Sequence, residues 1–232
     1  MMAGTKKLVC LANSRKHSGR CIAGKEVLDE GYGPWIRPVS ARQTAEISEE
    51  ERRYQDGVLP TVLDVMTVPI IGPAPHLYQA ENVVIDAGRY WVKDGELPWS
   101  AVEDLVDRPT SVWTSGESSY YGLNDRVRLQ DASELCNSLM LIKPDALSIE
   151  VVTEGAEFHN PRRKVRASFT YHDTHYLLNV TDPAAEKSLL AMPNAVHPMR
   201  NTYLCISLGE VFTDGYCYKL VAAVINEEGL VT

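Results

Sequence analysis

The chain is poor in positive charge. It has 23 lysines and arginines against 31 aspartates and glutamates in 232 residues, which leaves a formal net charge of -8 at pH 7. A protein that coats nucleic acid non-specifically must neutralise many phosphates with lysine and arginine. The composition therefore excludes that mode of binding, and any nucleic-acid site must be local.

Paired cysteines and long apolar runs are also missing. The five cysteines are odd in number, and none shows the C-x-x-C spacing of a zinc site or a thioredoxin-type redox centre. Several lie in apolar runs, which is typical of buried thiols in a reducing compartment. The sequence shows no signal-peptide core and no apolar run of membrane-spanning length. We therefore expect a cytoplasmic protein with no bound metal or cofactor and no membrane contact.

The second half of the chain carries the clearest pattern of strands. Apolar and polar residues alternate over 165–171 and 176–180, on either side of a short polar turn. Asp182 then has the place of a helix N-cap, because a proline and helix-forming residues follow it. Two further apolar strands follow over 203–208 and 216–225. One helix between the third and fourth strands of a short β-barrel is typical of the OB-fold, which we predict here.

The first half shows a looser order of the same kind. A basic loop, 13–20, follows a nearly continuous apolar run at 7–12. Ser48 and Glu51 have the spacing of a capping box, and this predicts a short helix. Ser100 and Glu103 repeat that spacing before a second predicted helix. The other predicted strands are 35–39, 62–70, and a hairpin whose arms are 81–86 and 89–93.

These patterns predict a mainly β fold with a few short helices, built as two tandem OB-like barrels. We assign residues 1–130 to an N-terminal OB-like domain with helical insertions, and residues 131–232 to a C-terminal OB-fold domain. The polar stretch 110–134 holds the boundary and is also a candidate functional loop. Apolar runs at 139–142 and 147–152 flank a Pro-Asp turn, and they form either one bent strand or two.

Six stretches of the chain carry a likeness to known proteins: LVCLANSRKHSGRCIAGKE (Leu8–Glu26), WIRPVS (Trp35–Ser40), YQAENVVID (Tyr78–Asp86), RRKVRASF (Arg162–Phe169), LCISLGE (Leu204–Glu210) and GYCYKLVAAVI (Gly215–Ile225). With these stretches the chain resembles a family of bacterial proteins that contain a dual OB domain. The resemblance implies the two-barrel architecture and a link to nucleic acid. It implies no reaction and no catalytic residues.

The basic loop is the first candidate site for nucleic acid. Between the first two strands of an OB barrel it has the position of a ligand-gripping loop. Basic side chains and serine hydroxyls can contact phosphates, although an ordinary solvated loop has the same composition. The predicted phosphate contacts are Ser14, Arg15, Lys16 and Arg20.

Two tryptophans are candidates for base stacking. Trp35 with Arg37, and Trp91 with Arg89 and Lys93, would place an aromatic ring beside cations on one face of a strand. Stacking a base on such a ring is worth about 1–3 kcal/mol. In the alternative interpretation each tryptophan lies in the core and the neighbouring cation extends to solvent.

The second half offers a basic cluster and a tyrosine-rich loop. Arg163, Lys164 and Arg166 suit a strand lying along a phosphate backbone, although such runs are often plain solvated faces. The loop SSYYGLNDRVR offers side chains that could recognise a base or ribose by stacking and hydrogen bonds, namely Tyr120, Tyr121, Asn124, Asp125 and Arg126. The same loop is equally consistent with a turn capped by Asn124 and Asp125.

The sequence supports three functions. We predict first a binding module for single-stranded RNA or DNA, or for a nucleotide. The second is a metal-dependent nuclease or nucleotide-processing enzyme that uses Glu210 with Asp182 or Asp214. The third is a protein–protein adaptor. His172, Asp173 and His175 have a spacing that could bring two imidazoles together, but polar turn residues explain them better.

Overall fold

The computed structural model describes residues 4–227 and divides the chain into two compact units. The first unit is the chain up to Val106 together with Cys136–Ser138. The second is Asp107–Leu135 and the chain from Leu139 onward. The boundary predicted near residue 130 therefore lies inside the second unit. Across residues 4–227, no helix has the length and apolar character needed to cross a membrane.

The first unit is a closed sheet because its first strand pairs on both sides. Leu8 in β1 lies opposite Glu26 in β2 and also opposite Met66 in β4. β3 and β5 run parallel and complete the ring. Helix α1 lies between β3 and β4. The elements are β1 (Gly4–Lys16), β2 (Gly19–Val27), β3 (Tyr32–Val39), α1 (Glu49–Arg52), β4 (Asp64–Pro73), β5 (Asn82–Ile85), β6 (Val92–Glu96) and a 3₁₀ helix (Trp99–Leu105).

Two expectations for the first unit have clear outcomes. The capping box is confirmed, since the Ser48 side chain accepts from the Glu51 backbone and the Glu51 side chain accepts from the Ser48 backbone. The hairpin between 81–86 and 89–93 is wrong. β5 and β6 both pair with β4 rather than with each other, because β5 also pairs with the distant β3. The capping-box spacing of Ser100 and Glu103 predicted a helix, and the structure has a 3₁₀ helix there that begins at Trp99.

The second unit closes in the same way with a divided first strand. β8 pairs with β13 and β9 pairs with β10, and only residues 143–145 separate β8 from β9. β11 and β14 run parallel. The elements are β7 (Arg126–Arg128), α2 (Leu129–Ala132), β8 (Leu139–Ile142), β9 (Ala146–Glu154), a 3₁₀ helix (Ala156–Phe158), β10 (Arg162–Tyr171), β11 (Thr174–Val180), α3 (Pro183–Leu189), β12 (Val196–Met199), β13 (Thr202–Val211) and β14 (Tyr216–Asn226).

Both units therefore share one strand order. Each has a first strand bonded to its second and fourth strands, a parallel pair formed by its third and fifth strands, and a helix between its third and fourth. The apolar runs at 139–142 and 147–152 form two strands, β8 and β9, rather than one bent strand. Together these strands occupy the position in the second barrel that β1 occupies alone in the first. The prediction of a mainly β fold with two OB-like barrels is confirmed.

Asp182 holds α3 to the barrel. Its Oδ1 accepts from the backbone N–H groups of Ala184 (2.9 Å) and Ala185 (3.2 Å), which is the predicted N-cap. Its Oδ2 accepts from the N–H of Val224 in β14 at 3.2 Å. The carboxylate is 5% exposed, so no water replaces these bonds easily.

We expect Asp182→Ala to lower the free energy of unfolding by about 2–4 kcal/mol, because it removes a cap and leaves a buried N–H unpaired. Urea unfolding followed by circular dichroism measures this loss. Lys187→Ala, on the exposed side of the same helix, is the matched control and should change stability by less than about 0.5 kcal/mol. Equal effects of the two substitutions would contradict the role of Asp182.

Candidate nucleic-acid interface

The basic segment of the first unit is a tight hairpin rather than a loop. Ser14, Arg15 and Lys16 belong to β1, Arg20 belongs to β2, and a two-residue turn joins the strands. Arg15 is exposed, whereas Lys16 and Arg20 are half-buried. Ser14 is buried, and its hydroxyl donates to the carbonyl of Cys21 at 3.5 Å. The predicted loop is therefore wrong, and Ser14 does not face a ligand.

Gly19 has a packing role in this hairpin. A Cβ at this position would lie 2.5 Å from the carbonyl oxygen of Ile47. The neighbouring Arg20 exchanges two backbone hydrogen bonds with Ile47, both 2.9 Å long. The close approach that the missing side chain of Gly19 permits is therefore made by the backbone of Ile47 in the same chain.

Neither tryptophan offers a stacking surface. Trp91 is fully buried in the core of the first unit, where it belongs to one cluster with Ile47 and Tyr54. Trp35 is 9% exposed, and the cation above its ring is Lys25, whose Nζ lies 5.7 Å from the ring centroid. The core interpretation is confirmed for both tryptophans and the stacking interpretation is wrong, because strand alternation does not tell which face the rest of the unit covers.

Arg37 forms a buried ion pair. It is 3% exposed, and its Nη2 lies 3.0 Å from Glu81 Oε1 and 2.8 Å from Ser138 Oγ. The Ser138 hydroxyl donates to Glu81, and Arg37 Nη1 donates to Asn82 Oδ1 at 3.3 Å. Arg37 therefore has a structural role. The predicted cation for Trp91, Lys93, is likewise paired, with Asp64 Oδ1 at 2.7 Å.

The basic cluster of the second unit is largely paired. Arg163 is exposed, yet its guanidinium donates to Asn194 Oδ1 (2.9 Å), to the carbonyl of Leu190 (2.6 Å) and to the carbonyl of Met192. Arg166 is buried and bonded to both carboxylate oxygens of Glu154, at 2.6 and 3.0 Å. Lys164 is half-buried. The prediction of a continuous basic face on this strand is wrong. Among the residues that the structure describes, hydrogen bonds within the unit hold Arg163 and Arg166, and Lys164 is the one of the three that they do not hold.

Three aromatic rings form an exposed group beside the β9–β10 loop, and we call them the aromatic platform: Tyr120, Tyr121 and Phe158. Tyr120 is 76% exposed and Phe158 is 63% exposed. The ring of Tyr120 meets Tyr121 edge-on at 4.8 Å between centroids and Phe158 at 5.7 Å. The guanidinium of Arg166 lies 5.9 Å from the Tyr121 ring centroid.

Tyr121 ties the platform to the β9–β10 loop. Its hydroxyl donates to Glu157 and accepts from the N–H of Gly155 at 2.8 Å. Desolvation and the bond to Glu157 raise the pKa of Tyr121, whereas the same bond lowers the pKa of Glu157. At neutral pH the tyrosine is therefore the donor and the glutamate the charged acceptor.

The turn that carries the two tyrosines is held by Asp125 and Asn124. Asp125 Oδ1 accepts from the N–H of Ser119 at 2.7 Å, and a Cβ on Gly122 would lie 1.9 Å from Asp125 Oδ2. Asn124 donates to the carbonyl of His175 at 2.8 Å. The turn-capping interpretation of these two side chains is confirmed, and it coexists with an exposed Tyr120.

A second aromatic group lies at the β13–β14 loop. Phe212 is 63% exposed and meets Tyr218 edge-on at 6.0 Å. The guanidinium of Arg126 lies 4.0 Å from the ring centroid of Tyr216. Residues 121–128 link this group to the platform, since Leu123 pairs with Leu177 in β11 and Arg126 pairs with Tyr218 in β14.

Sequence reasoning missed most of these rings. Tyr120 and Tyr121 were predicted, but Phe158, Phe212, Tyr216 and Tyr218 were not. One signal was available for Phe158, which is an isolated aromatic residue in a polar stretch bounded by Gly155 and a proline. Tyr216 and Tyr218 alternate with buried residues of β14, so the pattern alone does not separate them from core.

The sequence of the chain matches a known domain family. Residues 6–224 match the dual OB-containing domain. The chain belongs to the dual OB-containing domain family. No curated protein matches the chain. OB-fold domains commonly bind oligonucleotides through the face of their second and third strands and the two loops that flank it. In the second unit those elements are β10, β11 and the β9–β10 and β13–β14 loops.

The carboxylates of the nuclease hypothesis do not form one site. Asp182 is bonded to the N–H of Val224, near the end of β14, and Asp214 to the N–H of Tyr216, at its start. Eight residues of extended strand separate these contacts by roughly 25 Å. Glu210 lies in β13 between Leu208 and Val211, whose partners in β14 are Lys219 and Cys217, so it lies at the Asp214 end of that strand. The predicted pairing of Glu210 with Asp182 is therefore excluded, and its pairing with Asp214 stays a hypothesis.

The histidines of the second unit lie at a hairpin end. His172 and Asp173, with φ of 44° and 60°, form the turn between β10 and β11. The ring of His175 lies between Ser168 Oγ (3.2 Å) and Thr170 Oγ1 (3.4 Å). Within residues 4–227, no group of three or more acidic, histidine or cysteine side chains is arranged to hold a metal ion.

Lys219 is a buried cation beneath the platform-bearing segment. It is 1% exposed, its Nζ donates to the carbonyl of Thr114 at 2.6 Å, and its N–H donates to the carbonyl of Asp125 at 2.8 Å. Its Nζ also lies 5.1 Å from the ring centroid of Tyr176. Burial lowers the pKa of Lys219 to about 7, although the charge of Asp125 acts in the opposite direction.

This pKa predicts a pH-dependent stability. From pH 7 to pH 10 the unfolded chain keeps the Lys219 proton while the folded chain releases it, so unfolding takes up a proton and stability rises with pH. We expect the free energy of unfolding of the wild type to gain about 2–3 kcal/mol relative to Lys219→Met between pH 7 and 9.5. Urea unfolding at both pH values measures the gain, and parallel pH profiles would rule out the buried, titrating lysine.

Proposed function

We propose that this protein binds single-stranded nucleic acid through the second unit, with the aromatic platform as its stacking surface. The observation that carries the proposal is the exposure of Tyr120 and Phe158, at 76% and 63%, beside the β9–β10 loop. Large aromatic side chains are usually covered in a folded protein, and exposed groups of them mark binding sites. Stacking on bases is the use that an OB barrel makes of such rings.

The two aromatic groups suit the two ends of one bound strand. The segment 121–128 runs along β11 and β14 from the β9–β10 loop to the β13–β14 loop. The six residues from Tyr121 to Arg126 include the turn at Asn124, so they span less than the roughly 16 Å of a fully extended strand. Unstacked nucleotides bridging that distance would place one base on the platform and another near Phe212 and Tyr218.

The charges around this surface favour stacking over phosphate contact. Arg166 is bonded to Glu154, and Arg126 lies 3.7 Å from Asp214. Arg128 is paired with Glu117. Since these cations are already neutralised, we expect a bound strand to release few counterions. The slope of log K against log salt should correspond to one or two phosphates, about -0.7 to -1.4.

The hairpin of the first unit remains a separate proposal for phosphate contact. Arg15, Lys16 and Arg20 lie close together at its end, with Arg15 opposite Arg20 in the register. Of the other residues predicted to contact nucleic acid, Tyr121 and Lys164 remain in the proposed site. The proposed site does not include those whose side chains are buried or paired, namely Ser14, Trp35, Arg37, Trp91, Arg163 and Arg166.

We expect Tyr120→Ala combined with Phe158→Ala to weaken binding of labelled single-stranded RNA and DNA by about tenfold or more for each ring. Fluorescence anisotropy at low and moderate salt measures this loss. Tyr90→Ala removes a tyrosine that is 51% exposed in the first unit, and it serves as the matched control.

Four outcomes would point to a different site or a different function. Equal binding by the double variant and the Tyr90→Ala control would exclude the platform. Loss of binding only in Arg15→Ala/Lys16→Ala/Arg20→Ala would move the site to the hairpin of the first unit. Absence of wild-type binding at any salt would favour a protein–protein adaptor, and degradation of the probe on addition of magnesium would favour a nuclease.

A further inference from the structure

The second unit has a cleft that lies apart from the aromatic platform. It has a volume of about 290 Å³ and lies between the turn joining β8 to β9 and the turn joining β12 to β13. The cleft borders Ala146 at the start of β9, whereas the platform borders the loop after Glu154. Eight residues of strand separate these ends by roughly 27 Å, so one small ligand cannot occupy both.

The lining of the cleft is cationic at its two walls and apolar in part. Lys143 comes from the first turn, where its Nζ lies 5.2 Å from the ring centroid of Tyr203, and Arg200 comes from the second. Leu147 and Met199, which are register partners in β9 and β12, also line it. Asp145 is the acidic group of the lining, and its Oδ2 accepts from the N–H of His172 at 2.8 Å.

Both walls are held by hydrogen bonds. The carbonyl of Arg200 accepts from Thr202 Oγ1 at 2.8 Å and from Asn226 Nδ2 at 2.9 Å. The N–H of Asp145 donates to the carbonyl of Thr170 at 2.9 Å. A cleft with fixed walls loses little entropy when a ligand enters, which is a property of small-molecule sites.

We propose that this cleft binds a small phosphorylated organic molecule. Two cations on opposite walls suit a phosphate dianion, since charge-assisted hydrogen bonds to phosphate are the strong ones. The Leu147–Met199 pair suits the carbon skeleton that carries the phosphate. The volume is near the lower end of the range of ligand pockets, roughly 300 Å³, so it admits a nucleoside monophosphate or a sugar phosphate rather than a polymer.

The test uses the whole protein and amide NMR titrations with inorganic phosphate, AMP and adenosine. We expect phosphate and AMP to shift the resonances of residues 143–147 and 199–202 saturably, with AMP binding more tightly and adenosine causing little change. Lys143→Ala/Arg200→Ala should weaken phosphate and AMP by about tenfold or more. Both side chains are exposed, and unchanged resonances elsewhere will show that the variant is folded.

Lys187→Ala/Arg89→Ala removes the same charge from two other exposed positions and is the matched control. It should bind phosphate as the wild type does. Shifts that persist in the Lys143→Ala/Arg200→Ala variant, or that fall on the aromatic platform instead, would overturn the proposal. So would unaltered spectra at high phosphate. The inference is independent of nucleic-acid binding, because Tyr120→Ala/Phe158→Ala should leave phosphate binding unchanged.

Discussion

The parallel pairing of the third and fifth strands is the constraint on which each unit depends. Parallel neighbours cannot be joined by a tight turn, so the chain must leave the sheet and return before the pair can form. α1 and α3 lie in those excursions, between β3 and β4 and between β11 and β13. The fourth strand of each unit also pairs with the first, which closes the sheet into a barrel and leaves short strands such as β6 and β12 at its edges. The two units can therefore differ in their loops and in the outer faces of their strands.

The two units use this freedom differently. In the first, Arg37 and Glu81 form an ion pair that the chain itself covers, with Ser138 bonded to both. Removing one partner of such a pair leaves an uncompensated buried charge. Neither Arg37 nor Glu81 can therefore easily leave the pair to bind a ligand. In the second unit, Arg166 and Glu154 satisfy each other, and the exposed rings of the platform lie beside them.

Local signals in the sequence predicted what local interactions determine. The capping box at Ser48 and the N-cap at Asp182 depend on residues within one turn, and both are present. The hairpin predicted across 81–93 failed because β5 finds its partners in β3 and β4, far away in the chain. The hypotheses that Trp91 stacks on a base and that Arg37 faces a ligand failed for a related reason. Alternation separates the two faces of a strand, but distant segments decide which face is covered.

Keeping the aromatic rings of the platform exposed costs stability, which argues that a ligand covers them. Tyr120 and Phe158 leave apolar surface in water, and each ring forgoes roughly 1–3 kcal/mol of burial. The loop is nevertheless built to keep them there, since Asp125 and Tyr121 fix the turn through several hydrogen bonds. A rigid turn that presents rings to solvent gains stability only when a flat partner covers them. On an acidic chain whose nearby cations are already paired, a base satisfies that requirement better than a phosphate does.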